Sequence, residues 1–298
     1  MKFSLPETIQ TPEAQRLLST FFRASEKAWE EAIQPRMEAI RKGAVDRKSE
    51  KGGGTDFFTE ADVESEKIIS EELFTEFGTE AIRIFGEETN AYAGNLDAPI
   101  SIRIDPIDGT EAFKFGKPTW SIMVGAYTGR GENEQQIAAS IFFPEYYNEA
   151  IFFAEEAGVF IGSNTTGNVK EIAPTEVQDN LGNIIVAYYR HSNLHKRGNI
   201  DTIIKNLELN GARVKSTTPA EVKEALETAG KRALVIDGDF NEVDFISFSL
   251  LVRQGYALYG WDGAPLNVDD ASLADRKIVL VPPGKAGEKI REIVTAAQ

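Results

Sequence analysis

The sequence has 298 residues, of which 42% are hydrophobic and 27% are charged, and these ordinary globular proportions exclude wholesale disorder. The formal net charge of −15 argues against binding to a nucleic-acid polymer, which requires a basic face. Cysteine is absent, which excludes disulfide scaffolds, thiolate zinc sites and cysteine nucleophiles. The sequence lacks both the apolar core of a signal peptide and a membrane-spanning apolar run, so we expect a cytoplasmic protein without membrane contact.

The first part of the chain predicts two helices followed by strands. Thr11, Pro12 and Glu13 form a helix start, with a hydroxyl cap, proline in the first turn and an acid. This helix should be disturbed at Pro35, which lacks a backbone N–H. A second helix is predicted from Thr59, with Asp62 as its capping-box partner, to about Phe77. Runs rich in Ile, Phe and Tyr then predict strands at residues 81–85, 100–104, 121–127, 137–143 and 150–153.

A polar stretch, residues 162–182, separates this part from a second one with a different pattern. Here predicted strands alternate with predicted helices, which favours an α/β domain. The predicted strands are residues 184–188, 233–236 and 277–281, and the predicted helices are residues 200–209, 220–229, 245–254 and 286–297. We therefore expect an N-terminal α+β domain over residues 1–165 and a C-terminal α/β domain over residues 166–298.

Residues that suit metal chemistry are concentrated in the segment Asp105-Pro106-Ile107-Asp108-Gly109-Thr110, directly after a mostly apolar run. Carboxylates clustered at a strand end suit a hard divalent cation such as Mg²⁺. The glycine lets backbone amides approach an anion closely, and the threonine hydroxyl can donate or accept a proton.

Two further acidic segments accompany this motif. Glu87 and Glu88 also end a mostly apolar run, and strands ending side by side would bring Glu87 near Asp105 and Asp108. The third segment runs from Asp56 to Asp62 at the start of the second predicted helix. Taken alone, that segment is better interpreted as plain helix capping.

Together, the three segments resemble the N-terminal motifs of the inositol monophosphatase superfamily, in the same order and at plausible separations. The resemblance implies a layered αβαβα sandwich of the inositol monophosphatase and fructose-1,6-bisphosphatase type, combining an α+β half with an α/β half. It also implies a metal-dependent phosphoric monoester hydrolase, and a homodimer. The cofactor would be Mg²⁺, about two or three ions, with Mn²⁺ as an alternative.

The resemblance assigns roles to particular residues. Glu87, Asp105 and Asp108 would bind metal with the Ile107 carbonyl, and Glu88 would be an acid beside these ligands. Asp108, Gly109 and Thr110 would contact the phosphate. The catalytic residues would be Asp56, Thr110 and Glu87, with Asp56 and Thr110 orienting or deprotonating the water that attacks in line after activation by the metal.

The C-terminal half should supply the last metal carboxylate, which the superfamily takes from a Trp-Asp motif that opens a helix. Trp261-Asp262 matches those letters, but too few residues follow it for the remaining elements, and Pro265 disfavours a helix there. Asp244 precedes a plausible buried helix and leaves room for them, so we expect Asp244 to be the ligand. Asp237, seven residues earlier, would hold a sugar hydroxyl.

The resemblance implies that the substrate is a small phosphorylated metabolite, and its identity stays open. Asp237 favours inositol monophosphate, whereas Gly116 and Pro118 are more typical of the histidinol-phosphate phosphatase branch. Fructose-1,6-bisphosphatase and 3′(2′),5′-bisphosphate nucleotidase activities are further alternatives, and a metal-binding regulator without turnover is a non-enzymatic one. The Gly52–Gly54 run fits a lid or a linker equally well. His191 and His195 are better interpreted as a solvated basic patch than as a metal pair.

Overall fold

The computed structural model describes residues 1–42, 50–51, 56–57, 60–190, 198–217, 220–238, 241–269 and 276–297. The chain divides into two compact units, Met1–Glu171 and Ile172–Gln298. The junction lies inside the polar stretch 162–182. The assignment of most metal ligands to residues 1–165 and of the last metal carboxylate to residues 166–298 stays a prediction.

The first unit is built on a mixed sheet against which helices pack. Its helices are α1 (Pro12–Ala28), α2 (Gln34–Arg41), α3 (Glu60–Phe77) and α4 (Thr110–Lys114), with a π-helical turn at Trp29–Ile33 and a 3₁₀ turn at Gly131–Asn133. Its strands are β1 (Glu50–Lys51), β2 (Asp56–Phe57), β3 (Ile82–Gly86), β4 (Ala91–Gly94), β5 (Ile100–Asp108), β6 (Ser121–Thr128), β7 (Gln135–Phe143), β8 (Glu149–Ala154), β9 (Gly158–Ser163) and β10 (Val169–Glu171).

Strands β1 and β2 form a separate antiparallel ribbon, and the other eight strands form one sheet in the order β10-β9-β8-β7-β6-β5-β3-β4. Neighbouring strands of this sheet are antiparallel except for β3 and β5, which run parallel. The carboxyl ends of β3 and β5 therefore lie side by side. Since the acidic segments follow these two strands, the parallel pair is the feature of the fold that positions the candidate site.

Helices α1 and α3 pack against each other and against this sheet. The cap predicted for α1 is confirmed, because the Thr11 hydroxyl accepts a hydrogen bond from the Ala14 N–H at 3.3 Å. The disturbance predicted at Pro35 is also confirmed. The preceding turn widens to a π-helix in which Gln34 N–H bonds to Trp29 O, and α2 restarts with the proline in its first turn.

Charged side chains join the outer edges of α1 and α3, where Glu72 pairs with Lys27 (2.7 Å) and Arg23 (3.1 Å). Hydrogen bonds from Lys27 and then Arg23 lower the pKa of Glu72 below its ordinary value. A lowered carboxyl pKa stabilises the fold above the unfolded-state pKa, and this stabilisation disappears as the pH falls through the folded-state pKa.

We therefore expect Glu72→Gln to lower the Tm slightly at pH 7, with the difference from wild type shrinking as the pH falls below the ordinary glutamate pKa of about 4.3 and vanishing once the pH is below the lowered pKa of the folded state. Thermal unfolding at several pH values measures this. A difference that persisted at low pH would mean that Glu72 acts through packing and not through its charge.

The second unit contains a five-stranded sheet in the order β12-β11-β13-β15-β14. Its strands are β11 (Ile185–Tyr189), β12 (Arg213–Ser216), β13 (Arg232–Asp237), β14 (Ala257–Gly260) and β15 (Lys277–Val281), and its helices are α5 (Ile200–Leu209), α6 (Glu221–Glu227), α7 (Phe245–Arg253) and α8 (Lys285–Ala296), with a 3₁₀ turn at Leu181–Asn183. Strands β11, β12 and β13 are parallel, and β15 is antiparallel to β13 and β14. Apolar residues of α5 and α8 share one core with this sheet.

Candidate functional site

The acidic motif lies where β5 ends in a β-bulge. Asp105 pairs with Met123 of β6, but Asp108 pairs with Ser121, so β5 has one residue more than its partner over this step. In a regular strand, residues three apart point to opposite faces. The extra residue reverses that alternation, and one carboxylate oxygen of Asp105 lies within 4.8 Å of one of Asp108. Pro106, which cannot donate to the ladder, lies inside this irregular step.

Both carboxylates are held by nearby donors. Asp105 is 3% exposed, and its Oδ1 accepts a hydrogen bond from the Ile107 N–H at 3.1 Å. Asp108 is partly exposed, and its Oδ2 accepts one from the buried Ser121 hydroxyl at 3.0 Å. These bonds orient the two side chains, and the partial exposure of Asp108 leaves this end of β5 accessible to a ligand.

The chain then turns sharply at Gly109, which has φ 88° and ψ 42°. This left-handed conformation is costly for residues with a Cβ, so glycine is needed here. Helix α4 begins at the next residue, Thr110, whose hydroxyl donates to the Ile107 carbonyl at 3.2 Å. The turn thus brings a carbonyl oxygen, a hydroxyl and two carboxylates together within six residues.

Glu87 follows β3, and its backbone N–H donates to the Ile104 carbonyl of β5 at 3.1 Å. The two strands end side by side as the sequence predicts. Among the described residues, the carboxylate oxygens of Glu87, Asp105 and Asp108 do not all lie within 4.8 Å of one another. Glu87 and Glu88 are both half-buried.

Sequence reasoning misses Glu66 and gives Asp62 only a capping role, although both side chains are buried on α3. Glu66 accepts hydrogen bonds from the backbone of the turn that follows β3. Asp62 and Glu66 are four residues apart and so lie on one face of the helix. This spacing in the sequence is a signal that points to a buried acidic stripe. Thr59, the predicted capping partner of Asp62, lies outside the described residues.

In the second unit, Asp244 is the residue before the first turn of α7, as the sequence predicts. It is half-buried, and its Oδ2 accepts a hydrogen bond from the Asn241 N–H at 2.7 Å. Asp262 is exposed in the turn after β14, where its Oδ1 accepts from the Ala264 N–H at 3.0 Å. No helix opens at this second aspartate within the described stretch 241–269.

Asp237 ends β13 and is completely buried. Its carboxylate pairs with Lys277 at 2.9 Å and accepts hydrogen bonds from the Gly198 N–H on both oxygens, at 3.0 and 3.1 Å. These partners neutralise the buried charge within the second unit. The predicted role of Asp237 in binding a sugar hydroxyl stays a prediction.

Several predicted features lie outside the described residues. The Gly52–Gly54 run, His191 and His195 belong to this group. Asp56 is in β2, opposite Lys51, but its side chain is also outside the described part. Its catalytic role therefore stays a prediction.

Comparisons with known proteins agree with the motifs. The model of the inositol monophosphatase family matches residues 17–268, and the chain belongs to this family. No curated protein sequence matches significantly. The predicted layered fold class is confirmed by solved structures that resemble the chain over nearly its whole length.

The extragenic suppressor protein suhB of Bartonella henselae is 16% identical, with a TM-score of 0.74 over 97% of this chain and 100% of its own. An IMPase of Thermotoga maritima is 19% identical, with a TM-score of 0.69 over 96% and 98% of the two chains. SaIMPase-II, in a structure with inositol monophosphate bound, is 14% identical, with a TM-score of 0.66 over 95% and 94%. Identities this low establish the common fold and not the substrate.

Proposed function

We propose that the protein is a Mg²⁺-dependent phosphomonoesterase that hydrolyses a small phosphorylated metabolite, with inositol monophosphate as the first candidate. The observation that carries this proposal is the bulge at the end of β5. It pairs the Asp105 and Asp108 carboxylates directly before the left-handed Gly109 and the Thr110 hydroxyl. Family membership supports a phosphatase of this superfamily.

The residues at the end of β5 fit a hard divalent cation. Two carboxylates within 4.8 Å of each other, one of them nearly buried, repel each other unless a positive charge lies nearby. Oxygen donors are the ligands that Mg²⁺ and Mn²⁺ prefer. The proposed ligands are Asp105, Asp108, the Ile107 carbonyl, Glu87 and, in the second unit, Asp244. When bound, the cation neutralises the phosphate dianion, acidifies water and stabilises the leaving alkoxide.

The protein groups would bind the phosphate and guide the proton of the attacking water. The backbone amides of Gly109 and Thr110 are the proposed phosphate donors. The Thr110 hydroxyl donates a hydrogen bond to the Ile107 carbonyl. The lone pairs of the threonine oxygen can then accept a hydrogen bond from water. Passing a proton on to Asp56, as the sequence suggests, requires this hydroxyl to rotate. No covalent intermediate is needed, so direct in-line attack by water is the proposed mechanism.

The substrate is proposed as inositol monophosphate because SaIMPase-II, a structural neighbour, binds it. That same neighbour also appears with 2′AMP bound, so this fold accommodates more than one phosphate ester. Histidinol phosphate is the second candidate, favoured by Gly116 and Pro118 after the motif. A homodimer located in the cytoplasm completes the proposal. No helix in the described parts of the chain is long and apolar enough to cross a membrane.

The proposal predicts that phosphate release requires a divalent cation. Addition of Mg²⁺ or Mn²⁺ to the metal-free protein should restore turnover, and excess chelator should abolish it. Phosphate release should be measured with inositol 1-phosphate, histidinol phosphate, fructose 1,6-bisphosphate and adenosine 3′,5′-bisphosphate. Full activity in excess chelator would contradict the mechanism, and metal binding without turnover on any phosphomonoester would favour the regulator.

A further inference from the structure

Glu66 lies beneath the turn that carries Glu87 and Glu88. Its side chain is on α3, and the residue is only 4% exposed. Its Oε2 accepts a hydrogen bond from the Glu88 N–H at 2.7 Å, and its Oε1 accepts one from the Thr89 N–H at 3.2 Å. A buried carboxylate that accepts two backbone hydrogen bonds fixes the backbone that donates them.

Gly86 makes this close approach possible. A Cβ at Gly86 would lie 2.2 Å from the carboxyl carbon of Glu66 and 2.3 and 2.5 Å from its oxygens. The carboxylate therefore occupies the space that a side chain at residue 86 would fill. Any larger residue there would displace Glu66 from the two amides.

The turn is held from two sides. The Glu87 N–H bonds to Ile104 O of β5, while the next two N–H groups bond to Glu66 of α3. Three successive amides are thus fixed, one by the strand that carries Asp105 and Asp108 and two by the helix. The backbone from which the Glu87 side chain projects is therefore fixed by the fold.

We propose that Glu66 is a positioning residue for the metal site, because it fixes the backbone from which Glu87 reaches the cation. The inference rests on the proposed function, in which Glu87 is a metal ligand. Groups that orient metal ligands typically affect metal affinity 10–100-fold when they are removed. Glu66 acts through the turn and is not assigned any contact with the cation.

The test is a calorimetric titration of the full-length, metal-free protein with Mn²⁺, without substrate. Glu66→Gln keeps the size of the side chain but replaces one acceptor oxygen by an NH₂ group, and it should weaken Mn²⁺ binding about tenfold. Hydrogen exchange at the Glu88 and Thr89 amides should become faster in the same variant. Glu71→Gln, on the exposed side of the same helix, is the matched control and should leave both quantities unchanged.

Gly86→Ala provides a second, independent variant, since its methyl group should displace the Glu66 carboxylate. It should weaken Mn²⁺ binding by a similar factor, and the double variant should bind no more weakly than the worse single variant. Folded variants with wild-type Mn²⁺ affinity would overturn the inference, even if the turn exchanged faster. Absence of phosphatase activity in the wild-type protein would instead overturn the proposed function, because the Mn²⁺ titration needs no turnover.

Discussion

Asp244→Asn is expected to cripple Mg²⁺ activation, whereas Asp262→Asn is expected to be nearly silent. Asparagine keeps the shape of aspartate but removes the negative charge that attracts Mg²⁺ to this position. The Mg²⁺ concentration for half-maximal activity should rise by at least the roughly 10–100-fold seen when a supporting group is lost. Phosphate release at increasing Mg²⁺ concentration measures the effect.

The two positions form a matched pair because each aspartate accepts a backbone hydrogen bond that an asparagine oxygen can also accept. Asp244 accepts from the Asn241 N–H before α7, and Asp262 accepts from the Ala264 N–H in an exposed turn. Loss of local structure should therefore be small in both variants. If Asp262→Asn impaired Mg²⁺ activation and Asp244→Asn did not, the assignment of the last carboxylate would be reversed.

Thr110→Ala is expected to lower kcat by roughly 10² or more while Mg²⁺ affinity changes little. The reason is that the proposed role of the hydroxyl is to orient the attacking water, whereas the metal ligands are carboxylates and the Ile107 carbonyl. Thr110→Ser keeps the hydroxyl and should retain most of the activity. Steady-state kinetics and a Mn²⁺ titration on the same preparations separate the two effects. A variant that mainly lost metal affinity would show that the assigned role is wrong.

The same kcat measurement identifies the carboxylate side chain that works with Thr110. Asp56 is the residue that the motif suggests, but Asp62 is buried at the start of the helix that packs on β5. If Asp56 is the partner, Asp56→Asn should reproduce the loss of kcat seen with Thr110→Ala. The double variant should then lose little more, because the two groups act as one unit. If Asp62→Asn has this behaviour and Asp56→Asn does not, the role belongs to Asp62.

Local sequence signals were sufficient for most of the helices. The Thr11 cap, the break at Pro35 and the end of α3 at Phe77 depend on residues within a turn or two of each other, so propensity and capping predict them. The same holds for α5 and β15, whose bounds match the predicted residues 200–209 and 277–281. The predicted helix after Asp244 is confirmed for the same reason, ending at Arg253 instead of Gln254.

Local sequence does not predict the short strands at the edges of the sheets. Strands β4 and β10 are short and largely exposed, and β12 is four residues long and only partly buried. Each is held in extended form by pairing with a neighbouring strand, which is a tertiary interaction and leaves little trace in local sequence. Local sequence does not predict β9 either, and the end of this strand lies inside the polar stretch that the sequence marks as a boundary.

The sequence by itself determined the family, because the acidic motifs are contiguous strings of residues. Their residue types and their order can be recognised without any knowledge of the fold. Only the tertiary structure decided how these residues face one another. Asp105 and Asp108 are three residues apart, and regular alternation would separate them, but pairing with β6 introduces the bulge that brings them together. Glu66 reaches the turn after β3 from another element, across the gap left by Gly86, and such a contact depends on packing between elements that no local pattern encodes.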